Sequence, residues 1–179
     1  PERYTGKGRA VYWDGKTIAE TWVKELDGAE AIVNLAGKNV NCRPTKQNRK
    51  EILESRVDSV EVLGRALRLA SAPPKIWIQA GSLAIYGNAG DKICDEAARV
   101  DNEYPANVCI DWEAELGKAI LPDTRWVNLR IGFVLGTEGG ALPFLAKLTR
   151  SGLGGSIGDG KQYISWIHLE DMLRIFIAA

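Results

Sequence analysis

Short apolar runs alternate along the chain with longer segments in which apolar residues recur every three or four positions. The short runs are rich in β-branched and aromatic residues and are bounded by Gly, Asp or Pro, which predicts strands over residues 9–13, 29–35, 75–80 and 125–131. The segment after Pro44 carries an apolar stripe that consists of Leu53, Val57, Val60, Gly64 and Leu67. This spacing predicts a helix, and further helices are predicted over residues 106–121 and 142–150.

The order of these elements indicates the fold class. The strands are apolar throughout rather than half polar, which is typical of a parallel sheet with helices on both faces. We therefore predict a doubly wound α/β fold. The stretch GLGGSIGDG at residues 152–160 is predicted to be a loop, because so many glycines sustain neither helix nor strand. It precedes a strand-like run at 163–167 and lacks the G-K-[ST] ending of a phosphate-binding loop, which disfavours a phosphate site there.

Composition narrows the classes of function. The chain has 179 residues, which is enough for one domain with a buried core. Lys and Arg together number 23, as do Asp and Glu, and no basic block occurs, which disfavours a nucleic-acid binder. No apolar run is long enough to predict a membrane span. Because the three cysteines lie far apart and there is one His, we predict no metal site, no disulfide framework, and free thiols in a reducing cytoplasm.

Residues that follow the strands are the candidates for chemistry, because ligands of open parallel sheets bind beyond the carboxyl ends of the strands. Ala36 and Gly37 follow one strand, Gly81 and Ser82 the next, and Gly132 a third. Small residues here let a flat or phosphate-bearing ligand lie against the backbone, and they equally fit a tight turn. Ser82 is either one half of a catalytic pair or a small polar residue that closes a strand.

Four stretches resemble the extended short-chain dehydrogenase/reductases, a group that includes the nucleotide-sugar epimerases. They are VNLAG at 33–37, GSLAIYG at 81–87, NLRIGFVLG at 128–136 and GDGKQYISWIHLEDM at 158–172. Within that group the chain resembles an atypical epimerase-like subfamily with the motif NCR-x-T-x-x-NR-x-EI-x-x-SRV. This motif is matched by Asn41, Cys42, Arg43, Thr45, Asn48, Arg49, Glu51, Ile52, Ser55, Arg56 and Val57. The resemblance covers nearly the whole chain.

The resemblance implies a Rossmann-like fold that binds a dinucleotide cofactor, NADP(H) or NAD(H). The residues that it places against the cofactor are Ala36, Gly37, Arg56, Ala80, Gly81, Gly132 and Phe133. Arg56 stands where the family usually has Asn, and two roles stay open for it: a contact to phosphate or carboxylate, or a solvent-exposed helix charge. The family's motif G-x-x-G-x-x-G does not occur. We therefore expect one partial domain over residues 1–179, incomplete at both ends.

The chain departs from the family pattern at the catalytic residues. Ser82 aligns with the serine that hydrogen-bonds the substrate, but the family's Tyr-x-x-x-Lys pair is replaced by Pro105 and Cys109. Three substitutes for the missing proton donor stay open, namely Tyr86, Cys109 and His168. Each has a structural alternative: an aromatic packing residue, a buried inert thiol, and a histidine that satisfies backbone groups.

Two functions therefore compete. The first is an NADP(H)-dependent oxidoreductase or epimerase that acts on a small carbonyl, hydroxyl or nucleotide-sugar substrate, with residues 141–165 on the substrate side. The second is a non-catalytic dinucleotide-binding protein with a sensing or structural role. A homodimer through exposed helices is compatible with both.

Overall fold

The computed structural model describes residues 8–156 and 158–179. Contacts within the chain divide it into two compact units. The first unit comprises the residues up to Gly81 together with Asn107–Leu129, and the second comprises Ser82–Ala106 with Arg130–Ala179. The elements in chain order are α1 (Glu20–Val23), β1 (Ala31–Asn34), α2 (Lys46–Leu67), β2 (Ile76–Ser82), a 3₁₀ turn (Leu83–Tyr86), α3 (Tyr104–Ala119), β3 (Arg125–Ile131), β4 (Phe133–Leu135), α4 (Ala141–Arg150), β5 (Trp166–His168) and α5 (Leu169–Ala178).

The first unit is built on a sheet with the strand order β1-β2-β3. Strands β1 and β2 run parallel, with Ile32 opposite Trp77 and Asn34 opposite Gln79. The predicted α/β class with a parallel sheet is therefore confirmed. The two strands point the same way and stay in register to Asn34, so the carboxyl end of β1 lies beside Gln79, and β2 continues from there to Ser82.

The core of the first unit forms between this sheet and the helices. Trp77 of β2 is fully buried, and its register partner Ile32 is buried with it. The helices contribute Val60, Val62, Leu63, Ala66 and Leu67 from α2 and Trp112, Leu116 and Ala119 from α3. The apolar stripe predicted for α2 is confirmed at its carboxyl-terminal half, where the helix is buried, whereas Leu53 and Val57 are half-buried.

Strand β1 is covered on one face. Its side chains alternate, with Ile32 and Asn34 buried and Ala31 and Val33 exposed. Val33 is 49% exposed, so the expectation of cover on both faces does not hold for this strand. The physical reason is that the described helices of the first unit contribute their apolar residues to the Ile32 side.

The strand predicted over residues 9–13 is wrong, because this segment is irregular in the structure. The alternation that suggested a strand is real: Val11 and Trp13 pack against the core, whereas Tyr12 is 69% exposed. A strand also needs a neighbour that accepts its backbone hydrogen bonds. Among the described residues, no strand pairs with this segment.

The second unit holds a smaller parallel pair, β4 with β5, in which Phe133 lies opposite Trp166. Helices α4 and α5 accompany this pair, and the loop predicted over residues 152–160 is confirmed for its described residues, with Ile157 lying outside them. The strand-like run at 163–167 is shorter than predicted, because only its end belongs to β5. No helix within the described ranges combines the length and apolar character needed to cross a membrane.

Candidate functional site

Asn34 shapes the turn at the carboxyl end of β1. Its side-chain oxygen accepts a hydrogen bond from the Ala36 N–H at 3.0 Å, which fixes the chain as it leaves the strand. Its amide nitrogen donates to Gln79 Oε1 at 3.0 Å and to Ser59 Oγ at 3.3 Å. Asn34 is 2% exposed, so these bonds are shielded from competing water. The backbone of Ala36 is therefore held in one position beside the end of β2.

Gln79 fixes the backbone of β2 through hydrogen bonds of its side-chain amide. Its Oε1 accepts a further hydrogen bond from Trp77 Nε1 at 3.2 Å, and its Nε2 donates to the Ala80 carbonyl at 2.9 Å. Gln79 is 1% exposed, and a buried amide costs stability unless its donors and acceptors are paired. Because they are paired here, a closed polar network lies beneath the two strand ends. The predicted cofactor residue Ala80 is fixed by this network.

Gly81 follows Ala80 and is close to β3. A Cβ atom at this position would lie 2.7 Å from Asn128 Oδ1, which is closer than carbon and oxygen can approach without a shift. Asn128 itself is held, since its Nδ2 donates to Glu113 Oε1 at 2.8 Å. Close packing against Asn128 is therefore sufficient to explain why position 81 is a glycine. Its role against a cofactor stays a prediction.

Arg56 of α2 folds over the turn that contains Gly37. Its Nη1 donates to the carbonyls of Ile52 at 2.9 Å and Lys38 at 3.2 Å, and its guanidinium carbon lies 5.2 Å from the ring centre of Trp112. A Cβ atom on Gly37 would lie 3.1 Å from the same guanidinium carbon. The arginine is half-buried, so the alternative of a freely solvated helix charge does not describe it.

Ser82 ends β2 and begins the 3₁₀ turn of the second unit. Its Oγ accepts a hydrogen bond from the Ala84 N–H at 3.2 Å, which caps that turn. A serine hydroxyl has one proton to donate and two lone pairs to accept with, so this cap occupies one lone pair and leaves the proton available. The two roles open for Ser82 are therefore compatible: it closes the strand and keeps a hydroxyl donor.

Tyr86 is the last residue of the same turn and is fixed by two partners. Its hydroxyl donates to the Asp95 carbonyl at 2.8 Å and accepts from Arg130 Nη1 at 2.7 Å. The Arg130 guanidinium also lies 5.3 Å from the centre of the Tyr86 ring. A phenol next to a cation is the arrangement that the missing Tyr-x-x-x-Lys pair would provide in the family. Here, however, the Tyr86 proton is directed to a backbone carbonyl.

A cavity of about 1000 Å³ opens in the second unit beside Tyr86. Its walls come from residues 86–94 and from the segment 159–165, and the polar groups among them include Asn88, Asp91, Lys92, Asp159, Lys161, Gln162 and Tyr163. Ser82 is not one of the wall residues, although its neighbour Leu83 is. The loop that forms the first wall is closed at its base, where the Asp101 N–H donates to the Ile85 carbonyl at 2.9 Å.

Gly132 and Phe133 differ in their surroundings. A Cβ atom on Gly132 would lie 2.6 Å from the Ser165 carbonyl oxygen, the atom that accepts the Phe133 N–H at 2.9 Å. Glycine at 132 therefore allows β4 to begin next to the segment that leads into β5. The Phe133 side chain is 54% exposed, so its ring is available to a ligand. No contact of either residue tests the predicted cofactor role.

The surroundings of the remaining two candidates for proton transfer, Cys109 and His168, do not favour a catalytic role. Cys109 is 4% exposed within α3, and a thiol buried to this extent is closed to a substrate. The geometry therefore argues against the catalytic role predicted for Cys109. His168 is exposed and caps α5, where its Nδ1 accepts from the Glu170 N–H at 3.3 Å. The alternative that His168 satisfies a backbone group is the one the structure supports.

Comparison with known proteins identifies the family of the chain. The profile of the NAD dependent epimerase/dehydratase family matches residues 10–179. The chain belongs to that family. The curated relatives agree: an epimerase family protein of Mycobacterium leprae is 34% identical over 99% of this chain, and the human epimerase family protein SDR39U1 is 36% identical over 99% of it. The chain spans 57% and 59% of the lengths of these two relatives.

Two solved structures of the family are similar in fold as well. The human protein SDR39U1, crystallised with NADPH, superimposes with a TM-score of 0.79 and 36% identity over 87% of this chain and 54% of its own. A nucleoside-diphosphate sugar epimerase from Corynebacterium glutamicum superimposes with a TM-score of 0.77 and 31% identity over 94% of this chain and 34% of its own. The Rossmann-like fold implied by the sequence motifs is thereby confirmed for this family member.

Several residues that shape the site were not assigned a role from the sequence. Asn34, Gln79 and Arg130 lie within or beside the quoted family stretches, but nothing local shows what they contact. One signal was readable for Asn34 and Gln79: each is a polar residue within an otherwise apolar strand, and a buried polar residue needs a partner. Arg130 offered no such signal, because its partner Tyr86 lies far away in the sequence.

Proposed function

We propose that the chain is the NADP(H)-binding part of an oxidoreductase or epimerase that acts on a small carbonyl, hydroxyl or nucleotide-sugar substrate. The observation that carries the proposal is the parallel pairing of β1 with β2 up to Asn34, beyond which Ala36 and Gly37 lie in the turn after β1 and Gly81 lies near the end of β2. Bare backbone at paired strand ends is the surface on which open α/β sheets bind nucleotides. The relative solved with NADPH, at 36% identity, supports the same cofactor for this chain.

The first unit fits part of such a cofactor. Gly37 is exposed and carries no side chain, while the polar network of Asn34 and Gln79 holds the adjoining backbone rigid. The Gly-rich pyrophosphate motif does not occur in the sequence, so Ala36, Gly37, Ala80 and Gly81 would contact the ribose and base portions. When bound, the nicotinamide would supply hydride transfer, and the protein would supply placement.

Ser82 is the residue that we assign to the substrate. Its cap to the Ala84 N–H orients the oxygen, and its free proton donates to a substrate carbonyl or hydroxyl. Tyr86 is fixed by Arg130 and Asp95 on the wall of the cavity, and we assign it the shaping of the pocket together with contact to the substrate. For Gly132 and Phe133 we keep the contact with the cofactor that the resemblance implies, and we assign that contact to the nicotinamide.

The cavity of the second unit is the proposed substrate pocket, with residues 141–165 on the substrate side. Its amides, phenols, two lysines and the carboxylates of Asp91 and Asp159 suit a polar molecule with several hydroxyl groups, and the lysines also suit a phosphate. Neither Lys92 nor Lys161 forms an ion pair within the described residues, so both ammonium groups can meet an anionic substituent. These features, and the nucleoside-diphosphate sugar epimerase among the relatives, support a nucleotide sugar as one substrate class.

Cofactor binding is tested first by titrating NADPH and NADH, followed by nicotinamide fluorescence. We expect saturable binding by the natural full-length protein, with NADPH preferred. The 179-residue chain alone should bind more weakly, because the pyrophosphate motif is not in it. ADP-ribose is the control ligand, since it separates recognition of the adenosine side from recognition of the nicotinamide. Absence of binding by the full-length protein would refute the proposed function.

Replacing Ser82 with Ala is the test of chemistry. With a panel of carbonyl compounds and nucleotide sugars, we expect kcat to fall about a hundredfold, because a hydrogen-bond donor to the reacting oxygen is lost. The Kd for NADPH should stay unchanged. Ser71→Ala, at an exposed turn position, is the matched control. An unaltered kcat in Ser82→Ala would leave Ser82 as a residue that only closes the strand.

A second candidate function is a non-catalytic dinucleotide-binding protein. The observation in its favour is that Pro105 and Cys109 occupy the positions of the family's Tyr and Lys, while the Tyr86 proton is directed to a backbone carbonyl. NADPH binding without turnover on the substrate panel would select this function.

A cytoplasmic location and a homodimer remain parts of the proposal. The free thiols of Cys42, Cys94 and Cys109 support the first of these.

A further inference from the structure

Lys38, directly after the Ala36-Gly37 turn, is bound by α2 through its backbone and its side chain. Its N–H donates to Ser55 Oγ at 2.8 Å, and its carbonyl accepts from Arg56 Nη1 at 3.2 Å. Its ammonium group donates to Asn48 Oδ1 at 2.8 Å and forms an ion pair with Glu51. All three polar groups of one residue are thus paired with side chains of one helix.

These four partners are placed by helical spacing. Asn48, Glu51 and Ser55 follow one another at intervals of three and four residues, and Arg56 is adjacent to Ser55, so all four lie on one side of α2. Ser55 is oriented by its own bond to the Ile52 carbonyl at 3.1 Å. These residues belong to the sequence motif of α2. The spacing of the motif therefore brings all the partners of Lys38 to one side of the helix.

The far end of the same loop is attached as well. Thr45 caps α2 by accepting the Asn48 N–H at 3.1 Å, and Asn48 Nδ2 donates to the Arg43 carbonyl at 2.7 Å. Asn48 thereby contacts both Lys38 and Arg43, two residues of the connection between β1 and α2. A loop attached at both ends has little freedom to change the turn that precedes it.

Charge contributes to this attachment. The Lys38 ammonium group, followed by the amide of Gln47, holds the pKa of Glu51 below its usual value by hydrogen bonding to the carboxylate. The carboxylate is therefore ionised at neutral pH, and the pairing with Lys38 persists. Lys38 is half-buried, which partly shields this pair from salt.

We propose that Lys38 is a positioning residue for the dinucleotide: together with Asn48, Glu51, Ser55 and Arg56 it forms a clamp that presets the Ala36-Gly37 turn for the cofactor. This inference rests on the proposed function. It assigns Arg56 to the clamp, because its Nη1 donates to two backbone carbonyls, one of which is that of Lys38. A turn that is ordered before binding loses less conformational entropy when the cofactor arrives.

The test compares two pairs of opposite charge that involve α2: the Lys38–Glu51 pair between the loop and the helix, and the Lys50–Glu54 pair within the helix. Lys38→Met and Glu51→Gln each break the clamp, whereas Lys50→Met and Glu54→Gln break the exposed Lys50–Glu54 pair, whose atoms are 3.6 Å apart. In the full-length protein we expect the Kd for NADPH to rise about tenfold in the clamp variants, which corresponds to about 1.4 kcal/mol. The control variants should change it less than about twofold.

Two further variants separate positioning from general stability. The double variant with both Lys38→Met and Glu51→Gln should bind no more weakly than either single variant, because both changes break the same pair. Lys38→Arg keeps a cation within reach of Glu51 and should restore most of the affinity. Hydrogen exchange of the Lys38 amide in the cofactor-free protein should accelerate in Ser55→Ala, while the Tm stays close to that of the unaltered protein.

The outcomes distinguish the clamp from the proposed function. If the unaltered full-length protein does not bind NADPH, the proposed function fails, and hydrogen exchange still shows whether the clamp orders the turn. If the unaltered protein binds and the clamp variants bind equally well, the positioning role of Lys38 is refuted. A fall in affinity that follows the Tm in every variant, controls included, would also refute it. If the Lys38→Met variant does not fold, the Ser55→Ala variant tests the positioning role in its place, through the Kd for NADPH and the hydrogen exchange of the Lys38 amide.

Discussion

Replacing Trp77 with Ala is expected to lower the free energy of unfolding by about 3 to 5 kcal/mol, the usual cost of removing a large aromatic side chain from a core. Trp77 is fully buried at the centre of the first unit. It lies opposite Ile32 on β1, so the cavity left by the substitution would open directly beneath the paired strands. The surrounding strands and helices cannot collapse into that space without disturbing the sheet.

The substitution also affects the polar network. Trp77 Nε1 is one of the donors to Gln79 Oε1, and without it the buried oxygen retains only its bond from Asn34. Equilibrium unfolding in urea measures the loss. Trp126→Ala is the matched control, because that tryptophan lies in the same sheet and is 49% exposed. We expect the control to cost less than half as much, and equal costs would contradict the assignment of Trp77 to the core.

Replacing Gly132 with Ala is expected to destabilise the second unit by about 3 kcal/mol, the upper end of the usual cost of overpacking, because the added carbon meets backbone that must move. The added carbon would lie 2.6 Å from the Ser165 carbonyl oxygen and 3.0 Å from Leu83 Cδ1. The carbonyl is the more serious obstacle, since it accepts the Phe133 N–H that begins β4. Separating Ser165 from Gly132 would lengthen this bond and disturb the pairing of β4 with β5.

This prediction separates two explanations for Gly132. If the glycine serves packing, the cofactor-free protein loses stability, and thermal unfolding without any ligand detects it. If the glycine only makes room for the nicotinamide, the cofactor-free protein keeps its Tm and the affinity for NADPH alone falls. Gly139→Ala is the control, since a Cβ atom there meets no atom within 4 Å. The close contact with Ser165 leads us to expect the first result.

Local patterns in the sequence located the elements that depend on local physics. Strand β3 has its predicted bounds, and the helix predicted after Pro44 is α2, because an apolar stripe and a capping Thr45 are properties of neighbouring residues. Residues 9–13 show the limit of this approach. Their alternation correctly indicates which side chains pack inward, but a strand is defined by a partner that the local pattern does not contain.

The candidate site was predictable in position and not in detail. Ala36, Gly37 and Ser82 were chosen as candidates because ligands bind at the ends of parallel strands, a rule that needs only the strand boundaries, and their roles stay predictions. The partners of Tyr86 and Lys38 were not found, because each contact joins side chains that the fold brings together from separate elements. Arg56 shows the same limitation: its sequence position suggested a ligand contact or a solvated charge, and nothing local indicated that its Nη1 donates to two backbone carbonyls.

The closed base of the loop over residues 86–101 has a consequence for how this protein can diverge. The hydrogen bond from the Asp101 N–H to the Ile85 carbonyl holds the two ends of the loop together, so the loop can change in length between fixed ends. Lengthening such a loop costs little conformational free energy, since each doubling adds only about 0.6 kcal/mol. If the proposed substrate pocket is correct, variation of this one segment changes a wall of that pocket, which makes the loop a natural target for engineering.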